Sequence, residues 1–343
     1  MKTGTLKAKA RAANVSRRVK IDNVVPKPLQ IHNVLVPVDF SPASHEALEV
    51  ALTLVKPFGA EVHLAHVVPI EYRLAGLADV PILVPQLEVA PRVRKDLRNL
   101  ATEYGHGLRA HTHALHGRPF EEICRLASKI DIDLIAIATH GYTGLKHFAL
   151  GSTTERVVRY SPCPVLVVRA TRYSANGVQR KPRLRGAKTI RKILVPVDFS
   201  ACSNKGIDYA KELAKKFKAS LLFVHSIYFQ YHVTSDEYAR YDYPLCVQEA
   251  DKAAQKQMRE LVRATEADGI MVEPLLATGH AGEQICSRAR THGADLIVTS
   301  THGWTGFKHV LIGSTAEYVV RHAHCPVLVV PTHLRPDAPR KES

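Results

Sequence analysis

The chain has 343 residues, 45% apolar and 23% charged, an ordinary globular balance at a length that predicts two domains. No apolar run approaches the roughly 18 residues of a membrane span, and the N-terminus lacks the apolar core of a secretory signal. The net charge of +15 would suggest a nucleic-acid footprint, but residues 1–30 and 169–192 hold eight and nine Lys or Arg against the single acid Asp22, so the excess lies in a tail and a linker.

From the N-terminus, VLVPV at 34–38 predicts a strand, followed by a helix that Ser41-Pro42 opens and that runs to about Pro57. AEVHLAHVV (60–68) predicts a second strand, and after a long connection a helix follows over 86–104. LRAHTHALH (108–116) alternates as a third strand, where alternate positions on one sheet face account for His111, His113 and His116 without a function. Pro119 to Lys129 predicts a helix, DLIAIAT (133–139) a buried strand, Ser152 to Tyr160 a helix and PVLVV (164–168) a last strand.

The series then starts again. NVLVPVDFS at 33–41 returns as KILVPVDFS at 192–200, and residues 116–168 match 278–330 at 28 of 53 positions. Duplication predicts domains at 31–170 and 190–332, set between a basic tail (1–30), a basic linker (171–189) and a C-terminal tail (333–343). Tail and linker read as solvated, self-repelling spacers, with nonspecific polyanion contact as the alternative for both and a mitochondrial transit peptide as a further one for the tail. Strands separated by helix-length segments predict an α/β class: two tandem Rossmann-like domains, each a five-stranded parallel sheet with helices on both faces. The first and fourth strands of each copy should be neighbours where the strand order reverses, and ligands bind beyond strand ends there.

Between its second and third strands the second copy departs from the first. Tyr228, Phe229, Tyr231, Tyr238, Tyr241 and Tyr243 crowd sixteen residues, predicting a loop packed over the core or against the partner domain, with an aromatic lid over the second pocket as the alternative. The six cysteines, Cys124, Cys163, Cys202, Cys246, Cys286 and Cys325, form no CxxC pair, and a reducing cytoplasm fits them.

The most informative phrase is ATHGYTGLKHFALGS at 138–152, which recurs as STHGWTGFKHVLIGS at 300–314. It follows the fourth strand and ends by opening a helix. Gly141 and Gly151, like Gly303 and Gly313, let backbone approach a ligand, and the helix N-terminus offers unpaired N–H groups to an anion. Ser152, Thr153, Ser314 and Thr315 add hydroxyls, while Lys146 and Lys308 add charge. Ser152-x-x-Glu155 and Ser314-x-x-Glu317 also match a capping box, so the same residues admit a purely structural reading. Asp39 and Asp198 end the first strand of each copy. Each offers a carboxylate to a ribose hydroxyl or an exocyclic amine, or else forms an ordinary turn and cap before the helix. His140, His147, His302 and His309 lack metal-ligand spacing, and no metal centre is expected.

Taken together these segments resemble a tandem pair of universal stress protein domains, over about 280 of the 343 residues. Pro37-Val38-Asp39-Phe40-Ser41 and Pro196-Val197-Asp198-Phe199-Ser200 match the family's first strand end, and CPVLVV at 163–168 and 325–330 matches its last strand. Gly141-x9-Gly151-Ser152 and Gly303-x9-Gly313-Ser314 fit the later part of the nucleotide-binding branch's G-x2-G-x9-G-[ST], with Ala138 and Ser300 in place of its first glycine. The resemblance implies ATP as ligand, with Mg2+ as the divalent cation. Pro37, Val38 and Asp39, with Pro196, Val197 and Asp198, would hold adenosine, and Val67 and Ser226 would border the adenine. Ala138, Thr139, His140, Gly141, Gly151, Ser152 and Thr153 would hold the triphosphate, as would Ser300, Thr301, His302, Gly303, Gly313, Ser314 and Thr315.

The expected function is therefore a cytoplasmic stress-response protein that binds adenine nucleotide in one or both domains. It would act as a sensor or regulator rather than an enzyme, with slow ATP hydrolysis the most that is implied. The alternative is a nucleotide-independent interaction or chaperone-like stress protein, motivated by Ala138 and Ser300. Expected contacts are adenine nucleotide, an unnamed protein partner, intramolecular pairing of the two last strands and a further homodimer, with neither membrane nor nucleic acid.

Overall fold

The structure, a computed structural model, describes residues 29–69, 72–74, 81–83, 89–104, 109–139, 150–169, 190–227, 238–301 and 312–332. The first half runs β1 (Asn33–Pro37), α1 (Pro42–Val55), β2 (Glu61–Val68), β3 (Tyr72–Leu74), β4 (Pro81–Leu83), α2 (Val89–Tyr104), β5 (Ala110–His116), α3 (Pro119–Lys129), β6 (Leu134–Ala138), α4 (Ser152–Tyr160) and β7 (Val165–Val168). The second half runs β8 (Lys192–Pro196), α5 (Ala201–Phe217), β9 (Ser220–Ile227), α6 (Tyr238–Glu266), β10 (Val272–Thr278), α7 (Ala281–Thr291), β11 (Leu296–Ser300), α8 (Ser314–His322) and β12 (Val327–Val330).

Local chemistry accounts for these elements. Ser41 stands in extended conformation and its side chain accepts from the Ser44 N–H, while Pro42 takes the first helical position, where its missing N–H costs nothing. Ala47, Leu48, Ala51, Leu54 and Val55 then recur at helical spacing and are buried. In β6 and β11 all five residues are buried, as expected of strands covered on both faces.

Ten strands form one sheet, in the order β10-β9-β8-β11-β12-β7-β6-β1-β2-β5. Among the described strands of this sheet pairing is parallel within each half and antiparallel only between β12 and β7, where Leu328 faces Leu166. Both leucines are fully buried, each stabilising by roughly 1.5–3 kcal/mol. Helices α1, α2, α5 and α6 cover one face through residues such as Leu48, Leu97, Ile207 and Met258. Helices α3, α4, α7 and α8 cover the other through Ile123, Val157, Ile285 and Val319. Contacts beyond the sheet also join the halves. Phe58 meets Phe217 edge-on at 6.2 Å, the Leu29 N–H donates to Glu212 Oε2 at 3.3 Å, and Arg169 Nη1 donates to the Ala323 carbonyl at 3.3 Å.

Two features depart from the sequence expectation. A short antiparallel hairpin, β3–β4, lies in the long connection of the first half. Tyr238, Tyr241 and Tyr243 belong to the 29-residue helix α6 rather than to a loop, while Tyr228, Phe229 and Tyr231 lie outside the described residues. No helix among the described residues is long and apolar enough to cross a membrane.

Candidate functional site

β1 lies between β2 and β6, so the reversal of strand order falls between β1 and β6. The chain leaves β1 through Val38, whose N–H donates to the Ala65 carbonyl at 2.7 Å, and reaches Asp39 at the carboxyl edge. Asp39 Oδ1 accepts from the Ser41 N–H at 3.0 Å and from the Ser41 hydroxyl at 2.5 Å. Asp198 repeats both contacts with Ser200, at 3.0 and 2.6 Å. The helix cap is thus the serine, and one oxygen of each aspartate holds that serine in place.

The residue between them takes an unusual backbone. Phe40 and Phe199 have φ of 61° and 59°, a left-handed conformation that costs a bulky side chain about 1–2 kcal/mol. Each ring rests on a histidine of the neighbouring strand, Phe40 on His66 at 4.9 Å and Phe199 on His225 at 4.7 Å. His66 Nδ1 lies 2.7 Å from the Val38 carbonyl, and His225 Nδ1 lies 2.7 Å from that of Val197. A carbonyl only accepts, so Nδ1 carries the proton in both rings. These two histidines were missed in the sequence, although their recurrence 159 residues apart was visible there.

At the end of β6 the loop closes at a neck. The Thr139 N–H donates to the Val168 carbonyl at 2.9 Å, and the Gly151 N–H donates to the Thr139 carbonyl at 2.8 Å. In the second half the Thr301 N–H donates to Val330 at 3.0 Å and the Gly313 N–H to Thr301 at 2.8 Å. Ala138 and Ser300, like Thr139 and Thr301, are buried in this neck. Residues 140–149 and 302–311, with His140, Gly141, His302 and Gly303, lie outside the described residues.

The helices that follow correct the capping-box reading. Gly151 and Gly313 are the N-caps, without any side-chain hydrogen bond to the cap. Ser152 and Ser314 lie inside the first turn, exposed, with Thr153 and Thr315 half-buried behind them. Glu155 and Glu317 turn instead to Arg159 and Arg321, at 2.9 and 2.6 Å. Two helix N-termini therefore carry first-turn N–H groups and a positive dipole end beside an exposed hydroxyl.

Val67 and Ser226 occupy equivalent positions on β2 and β9. The Ser226 hydroxyl donates to the Gly279 carbonyl at 2.7 Å. Gly279 (φ 124°) and Gly117 (φ 146°) end β10 and β5 in a backbone region open essentially to glycine, and their N–H groups return to Ile227 and Val68. Pro37, Val38, Asp39 and Val67 are thus brought to one sheet edge with Ala138, Thr139, Gly151, Ser152 and Thr153. The second half repeats this with Pro196, Val197, Asp198, Ser226, Ser300, Thr301, Gly313, Ser314 and Thr315.

Comparison with known proteins matches this architecture. The model of the universal stress protein family fits residues 30–169 and again 189–331. Universal stress protein MJ0531 of Methanocaldococcus jannaschii is 37% identical over 139 residues, covering 40% of this chain and 81% of that protein. YxiE of Bacillus subtilis is 34% identical over 146 residues, covering 40% of this chain and 99% of that protein. A crystal structure of a universal stress protein from Archaeoglobus fulgidus shares the fold over 88% of this chain and 97% of its own, with a TM-score of 0.62 at 23% identity. Both segments, in sequence and in strand order, carry the same signature, and the chain belongs to the universal stress protein family.

Proposed function

We propose that each half binds an adenine nucleotide, ATP with Mg2+, at the carboxyl edge of its sheet, and that the protein acts as a nucleotide-responsive regulator in stress. One observation carries this reading: in both halves a helix begins at a glycine without a side-chain cap, next to the strand end that presents the aspartate. A helix start left open in this way suits a phosphate. The Asp39 and Asp198 turns, braced by Ser41, Ser200, His66 and His225, suit the nucleoside. The Ala138 and Ser300 substitutions support a second reading, in which partner capture proceeds without nucleotide.

Ser152→Asp together with Ser314→Asp separates folding from binding. A carboxylate in the first turn favours the helix by about 0.3–1 kcal/mol, yet it occupies the place of a phosphate and repels it. The double variant should melt no lower than the parent and lose ATP affinity by roughly tenfold or more in calorimetry with Mg2+. Unchanged ATP binding in a folded variant, or no binding by the parent at millimolar nucleotide, would overturn the reading and leave nucleotide-independent capture in its place.

A further inference from the structure

The first half carries a side-chain cluster that its duplicate lacks. Alternation puts Glu61 and His63 on one face of β2, and puts Arg109, just before β5, on one face with His111 and His113. The parallel register sets His63 opposite His111. His111 Nε2 lies 2.9 Å from Glu61 Oε2, while Arg109 Nη1 donates to Glu61 Oε1 at 3.2 Å. The His63 ring stacks against His111 and His113, with centroids 4.7 and 5.3 Å away. One donor atom from each of Glu61, His63 and His111 lies within 4.8 Å of the other two.

His63 is the informative member. It is only 8% exposed, its Nδ1 meets His113 Nε2 at 3.1 Å, and its Nε2 is sealed from solvent without a hydrogen-bond partner. A buried polar atom left unpaired is costly and calls for an explanation. The fold does not require it. At the equivalent positions the second half has Ser220 for Glu61, a fully buried Leu222 for His63, Glu273 for His111 and Leu275 for His113.

We propose that Glu61, His63 and His111 form a binding site for a divalent first-row transition ion, Zn2+ foremost, with the fourth position open to solvent at the sheet edge. Two imidazoles and a carboxylate suit a borderline ion rather than Mg2+ or Ca2+. Tetrahedral Zn2+ holds N and O donors about 3.3 Å apart, a spacing that side-chain rotation reaches from the present cluster. His113 would act through His63: by accepting a hydrogen bond from Nδ1–H it would leave the lone pair on Nε2, the nitrogen that has no other partner. Arg109 instead donates to one oxygen of Glu61 and leaves the other to the ion. The cluster sits at the amino ends of β2 and β5, whereas the nucleotide edge is at the carboxyl ends, so either assignment stands or falls without the other.

The test uses the full chain, stripped by chelator and titrated with Zn2+ against a chromophoric indicator, then with Co2+ followed by visible absorption. The expected result is one tight ion per chain and a Co2+ spectrum of low coordination number. His63→Leu, the duplicate's own residue, and His111→Gln, at an exposed position, should each weaken Zn2+ by roughly 100-fold or more. His113→Leu should weaken it by about 10–100-fold while keeping the Co2+ bands. His116→Ala should change nothing: His116 lies an odd number of positions from His113, so the regular register of β5 puts it on the opposite face and not, as the sequence suggested, on one face with His111 and His113. No Zn2+ bound at micromolar concentrations, or adventitious binding that the His63→Leu/His111→Gln double variant leaves unchanged, overturns the proposal.

Discussion

Burial governs the thiols. It pushes Cys163 and Cys325 up to about 12, and Cys124 and Cys286 up to about 11. The thiolate is the nucleophile, so at pH 8 these buried thiols stay in the unreactive protonated form in the folded protein. Iodoacetamide at pH 8 should therefore leave Cys163 and Cys325 unmodified in the native chain and label both in urea, as read by peptide mass spectrometry. Native labelling of either would mean that the last strands open. At the same scale, Phe40 and Phe199 hold a strained φ in both halves, each next to the aspartate at its strand end. The sequence showed Asp-Phe-Ser twice but could not show the strain, because the ring contact that goes with it is to His66, a residue 26 positions away.

Among the elements, the two necks are not equal. The Thr154 hydroxyl donates to the Ala138 carbonyl at 2.7 Å and is buried, whereas the second half has Ala316 at that position. Thr154→Ala should cost about 1 kcal/mol and loosen the first neck towards the second. Hydrogen exchange at the Gly151 amide, which closes the neck on Thr139, should accelerate while exchange at Gly313 stays as it was. Unchanged exchange at Gly151 would show that the hydroxyl does not hold the neck. The elements themselves were largely legible: α3 and α4 have the expected ends, and the strands agree within a residue or two, because apolar periodicity sets them. Helix α6 was not legible. It runs through Pro244, which normally breaks a helix, and the tyrosines around that proline read as a loop. The Glu61–His63–His111 cluster was hidden for a different reason. His63 and His111 are 48 residues apart, and only the β2–β5 register makes them neighbours.

For the molecule as a whole, the junction between the halves follows from the apolar last strands, legible in CPVLVV twice over. A protease site placed within 171–189 should yield, on cleavage, two pieces that still elute together. Leu166 against Leu328, Phe58 against Phe217 and a core shared by both halves would hold them. Separation of the pieces in mild buffer would show that the covalent link, not the sheet, keeps the halves joined. The basic tail and linker explain the net charge without any demand on the folded surface.

The antiparallel meeting of β7 and β12 has a further consequence, in the freedom it gives to change. In an assembly of two identical chains, every substitution appears twice, and a change useful on one side must be tolerated on the other. Here the two sides are separate stretches of one gene product, always paired with the same counterpart at a ratio of one to one. Position 222 is a leucine where position 63 is a histidine, Gly282 faces Tyr318 where Phe120 faces Arg156, and Thr154 has no hydroxyl counterpart. A symmetric frame thus carries an unsymmetric surface, and one half can hold a property that the other lacks.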